Sequence, residues 1–315
     1  MKATLEIRGA IRPWLDVSRC LVAVSGGADS LALATSLYLE NRTREDPAEL
    51  YAAIVNHNLQ EGSDLIASRT EATLRKIGYS NVTILNVEVI ITDGLEASAR
   101  RARYDVLDAY AASINANKIF LGHTKDDLAE NVLLGLARGS GTRSLSGMAK
   151  VVGLYVRPLL DISRATTEAA CTENGIDYWS DPQNKDERFT RAKVRHHILP
   201  MLEEKLGPGI IDALARSSRI LREDADALDE IAADVIAKLD VHDVEVLGSL
   251  PIAIRARVLR HLIYEAGAPS GSISADHLAP VEALITAWHG QGVTSLPGGV
   301  KVSRISGRLS LLQQG

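Results

Sequence analysis

A short glycine-containing segment carries the first group of residues that could do chemistry. Ser25, Gly26, Gly27 and Ser30 surround the acidic Asp29, between an apolar run and a second apolar run with helical spacing. Glycines let a backbone approach a ligand closely, and a helix that begins here points unsatisfied N–H groups at an anion. The segment predicts a phosphate-binding loop in which Asp29 holds a cation beside the phosphates. A strand-to-helix turn capped by Asp29 is the alternative.

A second group of polar residues follows the short apolar run 118–121. Gly122 and His123 come first, and Asp127 and Glu130 stand three positions apart, on one face of a predicted helix. Two such carboxylates can bind Mg²⁺, or accept a cationic amine and its proton. An acidic first helical turn with a capping role is the alternative.

Basic residues are grouped in a chain whose formal net charge is −5. Arg100 and Arg103 lie one turn apart on a predicted helix, where they fit a clamp on phosphate or, equally, a salt-bridged surface. Further groups occur in the ranges 138–150, 188–197, 255–260 and 301–308. A solvated surface explains any one group, whereas five groups indicate contact with a polyanion.

The elements that must position these residues alternate between strands and helices. Apolar runs at 20–24, 50–56, 82–87 and 118–121 are typical of buried strands, and helical patterns separate them. This order predicts an α/β fold with a doubly wound parallel sheet. Ligands bind beyond the carboxyl ends of such strands, so His57 is expected at the same site.

The character of the chain changes near residue 208. A long helical pattern comes first, followed by two more helical patterns and a glycine-rich hairpin pattern around 293–311. We therefore expect a catalytic domain over 1–206, a helical connector over 207–240, and a smaller, mostly helical C-terminal domain over 241–315 that carries a β-hairpin. The last domain has no catalytic constellation, so a role in recognition is expected.

Composition limits the class of protein. Of the 315 residues 46% are hydrophobic and 24% charged, which is ordinary for a globular protein. No apolar run approaches the roughly 20 residues that a membrane span needs, and the first residues lack a signal-peptide pattern, so a cytoplasmic protein without membrane association is expected. Cys20 and Cys171 are expected to be buried free thiols. The absence of a C-x-x-C pair argues against zinc, iron–sulfur and sulfur-transfer sites.

The motifs together resemble those of the tRNA(Ile)-lysidine synthetases. The phosphate loop alone is similar to the PP-loop of the ATP pyrophosphatase superfamily, which NAD synthetases, GMP synthetases and thiolation enzymes share. The combination with the later segments is specific to one family. Three positions depart from its usual pattern, with Asn58 in place of glycine, Asn131 in place of threonine and Ala192 in place of asparagine. The matching segments are residues 25–30, 55–59, 96–104, 122–148, 157–160 and 179–200.

The resemblance implies a two-step reaction. ATP with Mg²⁺ adenylates O2 of the wobble cytidine in a tRNA(Ile) with a CAU anticodon and releases pyrophosphate. The ε-amine of free L-lysine then attacks C2, and AMP leaves. A homodimer is compatible with this family.

The resemblance also implies roles for particular residues. The catalytic residues are Asp29, Asp127, Glu130, Arg100 and Arg103, and the Mg²⁺ ligands are Asp29 and Asp127. The ATP-binding residues are Ser25, Gly26, Gly27, Asp29, Ser30, His57, Gly122 and His123. The tRNA-binding residues are Arg138, Arg143, Arg157, Arg191 and Arg195.

Two other functions stay open from the sequence. One is a different PP-loop ligase that modifies tRNA or forms an amide, against which the missing cysteine pairs and the Arg-Gly-Ser-Gly turn at 138–141 count. The other is a non-catalytic nucleotide- or RNA-binding module. The presence of both acidic centres, at Asp29 and at Asp127 with Glu130, counts against a simple binder.

Overall fold

A six-stranded sheet forms the centre of the larger of two compact units, Met1–Leu221 and Arg222–Gly315. The computed structural model describes residues 1–56, 62–87, 89–90, 94–139, 141–180, 190–269 and 271–313. The predicted site residue His57 lies outside these ranges. The strands are β1 (Arg19–Ala23), β2 (Glu49–Asn56), β3 (Asn81–Asn86), β4 (Lys118–Leu121), β5 (Val151–Val152) and β6 (Tyr155–Val156).

Helices alternate with these strands, as the sequence predicts for an α/β fold, and the predicted parallel sheet is confirmed. The helices are α1 (Lys2–Ile11), α2 (Ala28–Asn41), α3 (Ser63–Ile77), α4 (Leu95–Ser113), α5 (Lys125–Ala137), α6 (Thr142–Leu145), α7 (Arg164–Glu173), α8 (Thr190–Lys193), α9 (Leu199–Leu206) and α10 (Ile210–Lys238). A π-helical stretch, Val194–Ile198, joins α8 to α9. Because α10 runs through residue 222, it contributes to both compact units.

The strand order places a crossover point beside β1. The order is β3-β2-β1-β4-β6-β5, and every pair is parallel except β5 with β6. The chain leaves β1 towards β2 on one side and later returns as β4 on the other. Ala23 at the end of β1 pairs with Leu121 at the end of β4, so the loops that follow the two strands emerge side by side. Open parallel sheets bind ligands at such a point.

Alternate residues of the central strands pack into two separate cores. Val22 and Phe120 face a core shared with α1, α2 and α7. Leu21 and Ile119 face a second core, in which they meet Leu107 of α4. Both faces of the sheet are thus covered, which explains why these strands are continuous apolar runs in the sequence.

In the smaller unit, three helices and an antiparallel sheet join the C-terminal part of α10 around a separate core. Its helices are α11 (Val244–Ser249), α12 (Ile252–Glu265) and α13 (Ala275–Thr286), and its strands are β7 (Thr294–Ser295), β8 (Val300–Ile305) and β9 (Arg308–Gln313). The predicted hairpin is the β8–β9 pair, and β7 adds a third strand to it. Asp240 holds β9 through two contacts to Arg308, at 2.6 and 3.0 Å.

Both cysteines are buried free thiols, as the sequence predicts. Burial raises the pKa of Cys20 and of Cys171 to about 12, so both stay protonated at neutral pH. In the ranges given above, no helix is both long enough and apolar enough to cross a bilayer.

One carboxylate ties α7 to the start of α1. Glu173 accepts hydrogen bonds from the backbone N–H groups of Ala3, at 3.0 Å, and Thr4, at 2.9 Å, and from the Thr4 hydroxyl at 2.6 Å. The first N–H groups of a helix have no partner within the helix, so this carboxylate satisfies them from outside. These bonds to Thr4 and Ala3 lower the pKa of Glu173 to about 2.

We expect Glu173→Gln to lower the melting temperature at pH 7 and to lose this effect in acid. A carboxylate whose pKa is lower in the folded state stabilises the fold above its ordinary pKa of 4.5, and this stabilisation disappears as the pH falls towards about 2. The difference from the wild type is measured by thermal unfolding between pH 7 and pH 2. Glu6→Gln, at an exposed position of α1, is the control. A difference that is the same at every pH would contradict the assignment.

Candidate active site

The loop after β1 is shaped by glycine and by its own serines. Gly26 has a φ of +85°, and a Cβ at this position would lie 2.5 Å from Oγ1 of Thr70. Only glycine fits there. Ser30 Oγ accepts a hydrogen bond from Ser25 N at 3.1 Å and donates one to Gly27 O at 3.0 Å. Because α2 begins directly after this loop without a side-chain cap, its first N–H groups are placed as in an anion-binding site.

The loop after β4 lies directly against this first loop. A Cβ at Gly122 would be 3.0 Å from Cα of Ser30 and 3.1 Å from the backbone of Asp29. A side chain here would push the two backbones apart by a few tenths of an ångström, so glycine favours the close approach. Segments that are almost a hundred residues apart in the sequence therefore form one site.

Asp127 uses its two carboxylate oxygens for different purposes. Oδ2 accepts hydrogen bonds from the backbone N and the hydroxyl of Thr124, at 2.8 and 3.0 Å, in a capping box at the start of α5. Oδ1 accepts hydrogen bonds from Arg164 at 2.9 Å and from Arg195 at 3.2 Å. Asp127 is thus both a helix cap, through Oδ2, and a site residue, through Oδ1.

Glu130 lies one turn further along α5 and is completely buried. Nε and Nη2 of Arg195 donate to its two carboxylate oxygens, at 2.6 and 3.0 Å, in a bidentate contact. Arg191 Nε lies 3.8 Å from Oε2, and Nη2 of the same arginine donates to Asn131, one of the positions that depart from the usual pattern. Such partners are needed because an unpaired buried carboxylate is costly.

Arg164, which is not among the predicted site residues, contacts acids near the starts of both α2 and α5. Arg164 donates from Nε to Asp29 at 3.3 Å, from Nη2 to Asp127 at 2.9 Å, and from Nη1 to Glu130 at 3.4 Å. It is the first residue of α7, and the side chain of Ser163 caps this helix. A helix-capping serine followed by arginine, just after the apolar segment 158–160, is the sequence signal that could have identified it.

These charges shift one another's pKa. Burial raises the pKa of Asp29 above its ordinary value, and the charge of Arg164 offsets this only in part. Burial acts in the same direction on Asp127, but the charge of Arg164 and the Thr124 backbone hydrogen bond bring its pKa below the ordinary value. Burial alone would lower the pKa of Arg164, whereas the charges of Asp127 and Asp29 raise it. The Arg164 guanidinium is therefore always charged. Of the two aspartates, Asp29 is the one for which positive charges offset the effect of burial least.

A group of arginines surrounds His123 at the end of β4. Burial lowers the pKa of His123 to about 3, and the charges of Arg103, Arg157 and Arg100 act in the same direction. The imidazole is thus neutral at physiological pH. Its Nδ1 is buried and has no hydrogen-bond partner among the described residues. Arg100 is exposed and stacks over the ring of Tyr104, with 5.2 Å between the guanidinium carbon and the ring centroid.

A cavity of about 400 Å³ opens at the ends of β1 and β4. Most of the predicted ATP, metal and catalytic residues line it, whereas Gly26, Arg100 and Glu130 are not part of the lining. The predicted lining residues are Ser25, Gly27, Asp29, Ser30, Arg103, Gly122, His123, Asp127 and Arg195, and the lining residues that were not predicted as site residues are Ala23, Ala28, Arg164, Glu168, Tyr178, Trp179, Ser180 and His196.

Comparison with known families and proteins shows which family this chain belongs to. Residues 2–202 match the PP-loop domain family, and residues 243–310 match the TilS substrate binding domain. A tRNA(Ile)-lysidine synthase from Streptomyces coelicolor is 47% identical over 302 residues, which cover 93% of this chain and 85% of the relative. The enzyme of the same name from Thermobifida fusca is 44% identical, over 96% of this chain and 94% of its own. The chain belongs to the tRNA(Ile)-lysidine synthase family.

A solved structure supports the fold of this tRNA(Ile)-lysidine synthase family member. The U34-tRNA thiolase NcsA from Methanococcus maripaludis, solved with its 4Fe–4S cluster, superimposes with a TM-score of 0.58. The match covers 70% of this chain and 79% of the thiolase at 18% identity. At this identity the likeness concerns the fold alone.

Three of the five arginines predicted to bind tRNA have partners inside the protein in this family member. Arg157 is only 6% exposed, and it donates to Ala149 O at 3.0 Å and to the Tyr104 hydroxyl at 3.3 Å. Arg191 and Arg195 point to Glu130. Arg191 and Arg195 are stabilised by ion pairing with the buried Glu130, and Arg157 by hydrogen bonds to a carbonyl and a hydroxyl. Their contact with tRNA stays a prediction from the sequence.

The remaining two, Arg138 and Arg143, are exposed at the end of α5 and on α6, respectively. Of the five predicted tRNA contacts, these two have the exposure that a direct contact with RNA needs.

The chemistry of the acids fits Mg²⁺. Within the part of the chain that the structure describes, no group of three or more His, Cys, Asp or Glu side chains is arranged as a metal site. Mg²⁺ next to a nucleotide needs only one or two protein carboxylates, since phosphates and waters fill the other positions. Asp29 and Asp127 meet this requirement, because one guanidinium reaches both.

We expect Glu130→Gln to lower the free energy of unfolding by about 3 kcal/mol, because breaking a buried ion pair leaves an uncompensated charge. Guanidinium chloride denaturation measures this loss. Glu49→Gln, which removes an exposed partner of Arg19, is the control and should cause a much smaller change. Equal losses in the two variants would contradict the role of Glu130 in holding Arg195.

Proposed function

We propose that this chain makes lysidine in the cavity at the ends of β1 and β4, with ATP, free L-lysine and a tRNA(Ile) that has a CAU anticodon as substrates. The observation that carries the proposal is that Asp29 at the start of α2 and Asp127 at the start of α5 bind the same guanidinium, that of Arg164. In a member of this family, that juxtaposition supports ATP activation and attack by an amine at one place. Residues 1–206 would carry the chemistry and 241–315 would recognise tRNA, joined by 207–240.

ATP is proposed to bind with its phosphates on the loop Ser25–Ser30. The N–H groups at the start of α2 and the close approach at Gly122 support this position. His123 lines the cavity and is neutral because burial lowers its pKa, so its imidazole can contact the nucleotide without adding charge. His57 remains a predicted ATP ligand from the sequence.

Mg²⁺ is proposed to bind Asp29 and Asp127, and when bound it neutralises the charge that develops on the phosphates as pyrophosphate leaves. Arg103 would also neutralise charge on the phosphates. It lines the cavity beside His123, and burial lowers its pKa, so a bound anion would restore the favourable environment for its charge. Arg100 is proposed to act from the surface next to it, where Tyr104 orients its guanidinium.

Lysine is proposed to approach the acidic side of the cavity. Its ε-ammonium group would be attracted to Asp127, which lines the cavity, and must lose a proton before the nitrogen attacks C2 of the adenylated cytidine. Glu130 is less suited to direct contact, because it is fully buried and Arg195 takes both of its oxygens. This arrangement favours Asp127 as the acid that attracts the ammonium group and Glu130 as the residue that holds Arg195 in place.

The two other functions are less well supported. A thiolating enzyme of the same fold needs an activated sulfur, and the two cysteines of this chain are buried, with pKa values raised to about 12. A plain binding module would not need two loops with buried acids that converge on one cavity. The homodimer and the cytoplasmic location remain predictions from the sequence.

We expect the purified protein to incorporate radiolabelled lysine into a tRNA(Ile) transcript with a CAU anticodon only when ATP and Mg²⁺ are present. Asp127→Asn should reduce the rate by about a hundredfold or more, since it removes a charge from the reacting site. The matched control is Asp105→Asn, at an exposed position of α4, which should leave the rate unchanged. No incorporation by the wild-type protein would contradict the function, and a normal rate for Asp127→Asn would contradict the site.

A further inference from the structure

The Arg164 guanidinium lies between Asp29 and Asp127, where the cation that accompanies the nucleotide is proposed to bind. The guanidinium of Arg164 contacts three carboxylates, one in the first turn of α2 and two near the start of α5, at 2.9 to 3.4 Å. Its own backbone N–H donates to Asp126 at 2.8 Å. One side chain thus supplies the positive charge for both proposed Mg²⁺ ligands.

The structure anchors the backbone of Arg164 and leaves its guanidinium accessible. Ser163 caps α7 one residue earlier, and Lys125 N donates to Ile162 O at 2.9 Å, so the start of α7 is fixed to the start of α5. The side chain lines the cavity and is 19% exposed. A long side chain on a fixed backbone can leave one set of partners for another without rearrangement of the fold.

The site has room for one cation between these acids. A divalent ion and a guanidinium that share two carboxylates repel each other strongly in a partly buried environment. The side chains of Asp29 and Asp127 are both mostly buried, at 23% and 10% exposure, so solvent screens this repulsion little. The two cations therefore cannot bind both acids together.

We propose that Arg164 is the counter-ion of Asp29 and Asp127 in the resting enzyme, and that a divalent cation must displace it. This inference rests on the proposed Mg²⁺ position of the previous subsection. The displaced guanidinium needs a new negative partner, which the phosphates of ATP can offer. A bare cation brings no such partner. Arg164 is thus a positioning residue that couples cation binding to nucleotide binding, so that the two ligands enter together.

The test measures binding of MgCl₂ alone, without nucleotide, by titration calorimetry and by the shift in melting temperature. Arg164→Gln should melt at a lower temperature than the wild type without Mg²⁺, since it leaves buried acids unpaired. It should bind Mg²⁺ at least about tenfold more tightly than the wild type, because the competing charge is gone. Arg164→Lys keeps a charge but has one ammonium group for three acids. Its affinity for Mg²⁺ should therefore lie between those of the wild type and Arg164→Gln.

Arg8→Gln is the matched control. Arg8 is 21% exposed and donates to the buried Glu40 at 2.8 Å, so this change also removes a positive charge from a buried carboxylate. It should lower the melting temperature without any gain in Mg²⁺ binding. A merely structural role of Arg164 would predict the same for Arg164→Gln.

The proposal is overturned if Arg164→Gln binds Mg²⁺ no more tightly than the wild type, or if Arg8→Gln gains as much. Should Arg164→Gln fail to fold, Arg164→Lys decides: a gain over the wild type supports the proposal, and no gain overturns it. Lysine incorporation by the wild-type enzyme tests the function separately. The counter-ion role can therefore fail while the proposed function stands.

Discussion

The pairing of buried charges at the ends of β1 and β4 is the constraint on which the rest of the site depends. Asp29, Asp127 and Glu130 come close together in a partly dehydrated volume, where unpaired carboxylates would be unstable. Arg164 and Arg195 supply the opposite charge from α7 and from the π-helical stretch. Each arginine reaches more than one acid, so a change at one residue alters the partners of the others.

The fold makes this concentration of charge possible. The crossover between β1 and β4 brings two loops to one edge of the sheet, and Gly122 lets the loop after β4 lie close to the backbone at the start of α2. Packing on both faces of the sheet holds the strands in register, and Glu173 ties α7 to α1 on the face that also carries α2. The arginine that joins the two loops is therefore presented by a well-anchored helix.

The sequence predicted the features that depend on local pattern. The strand-loop-helix unit around residues 25–30 was predicted because glycines, apolar runs and helical spacing lie next to one another in the chain. Arg164 was missed because its role comes only from tertiary contacts with acids that lie far away in the sequence. The internal partners of Arg157 and Arg195 could not be predicted, since charge alone does not say which partner a side chain finds. Strand β7 has two residues, too few for a periodic pattern.

A crystal structure of the enzyme with Mg²⁺ and a non-hydrolysable ATP analogue tests the central claim most directly, namely that one cation at a time satisfies the shared carboxylates. The account predicts Mg²⁺ on Asp29 and Asp127, with the phosphates on the loop after β1 and the Arg164 guanidinium no longer bound to both acids. A structure in which Arg164 keeps its contacts to both carboxylates, while Mg²⁺ and the phosphates bind elsewhere, would contradict it.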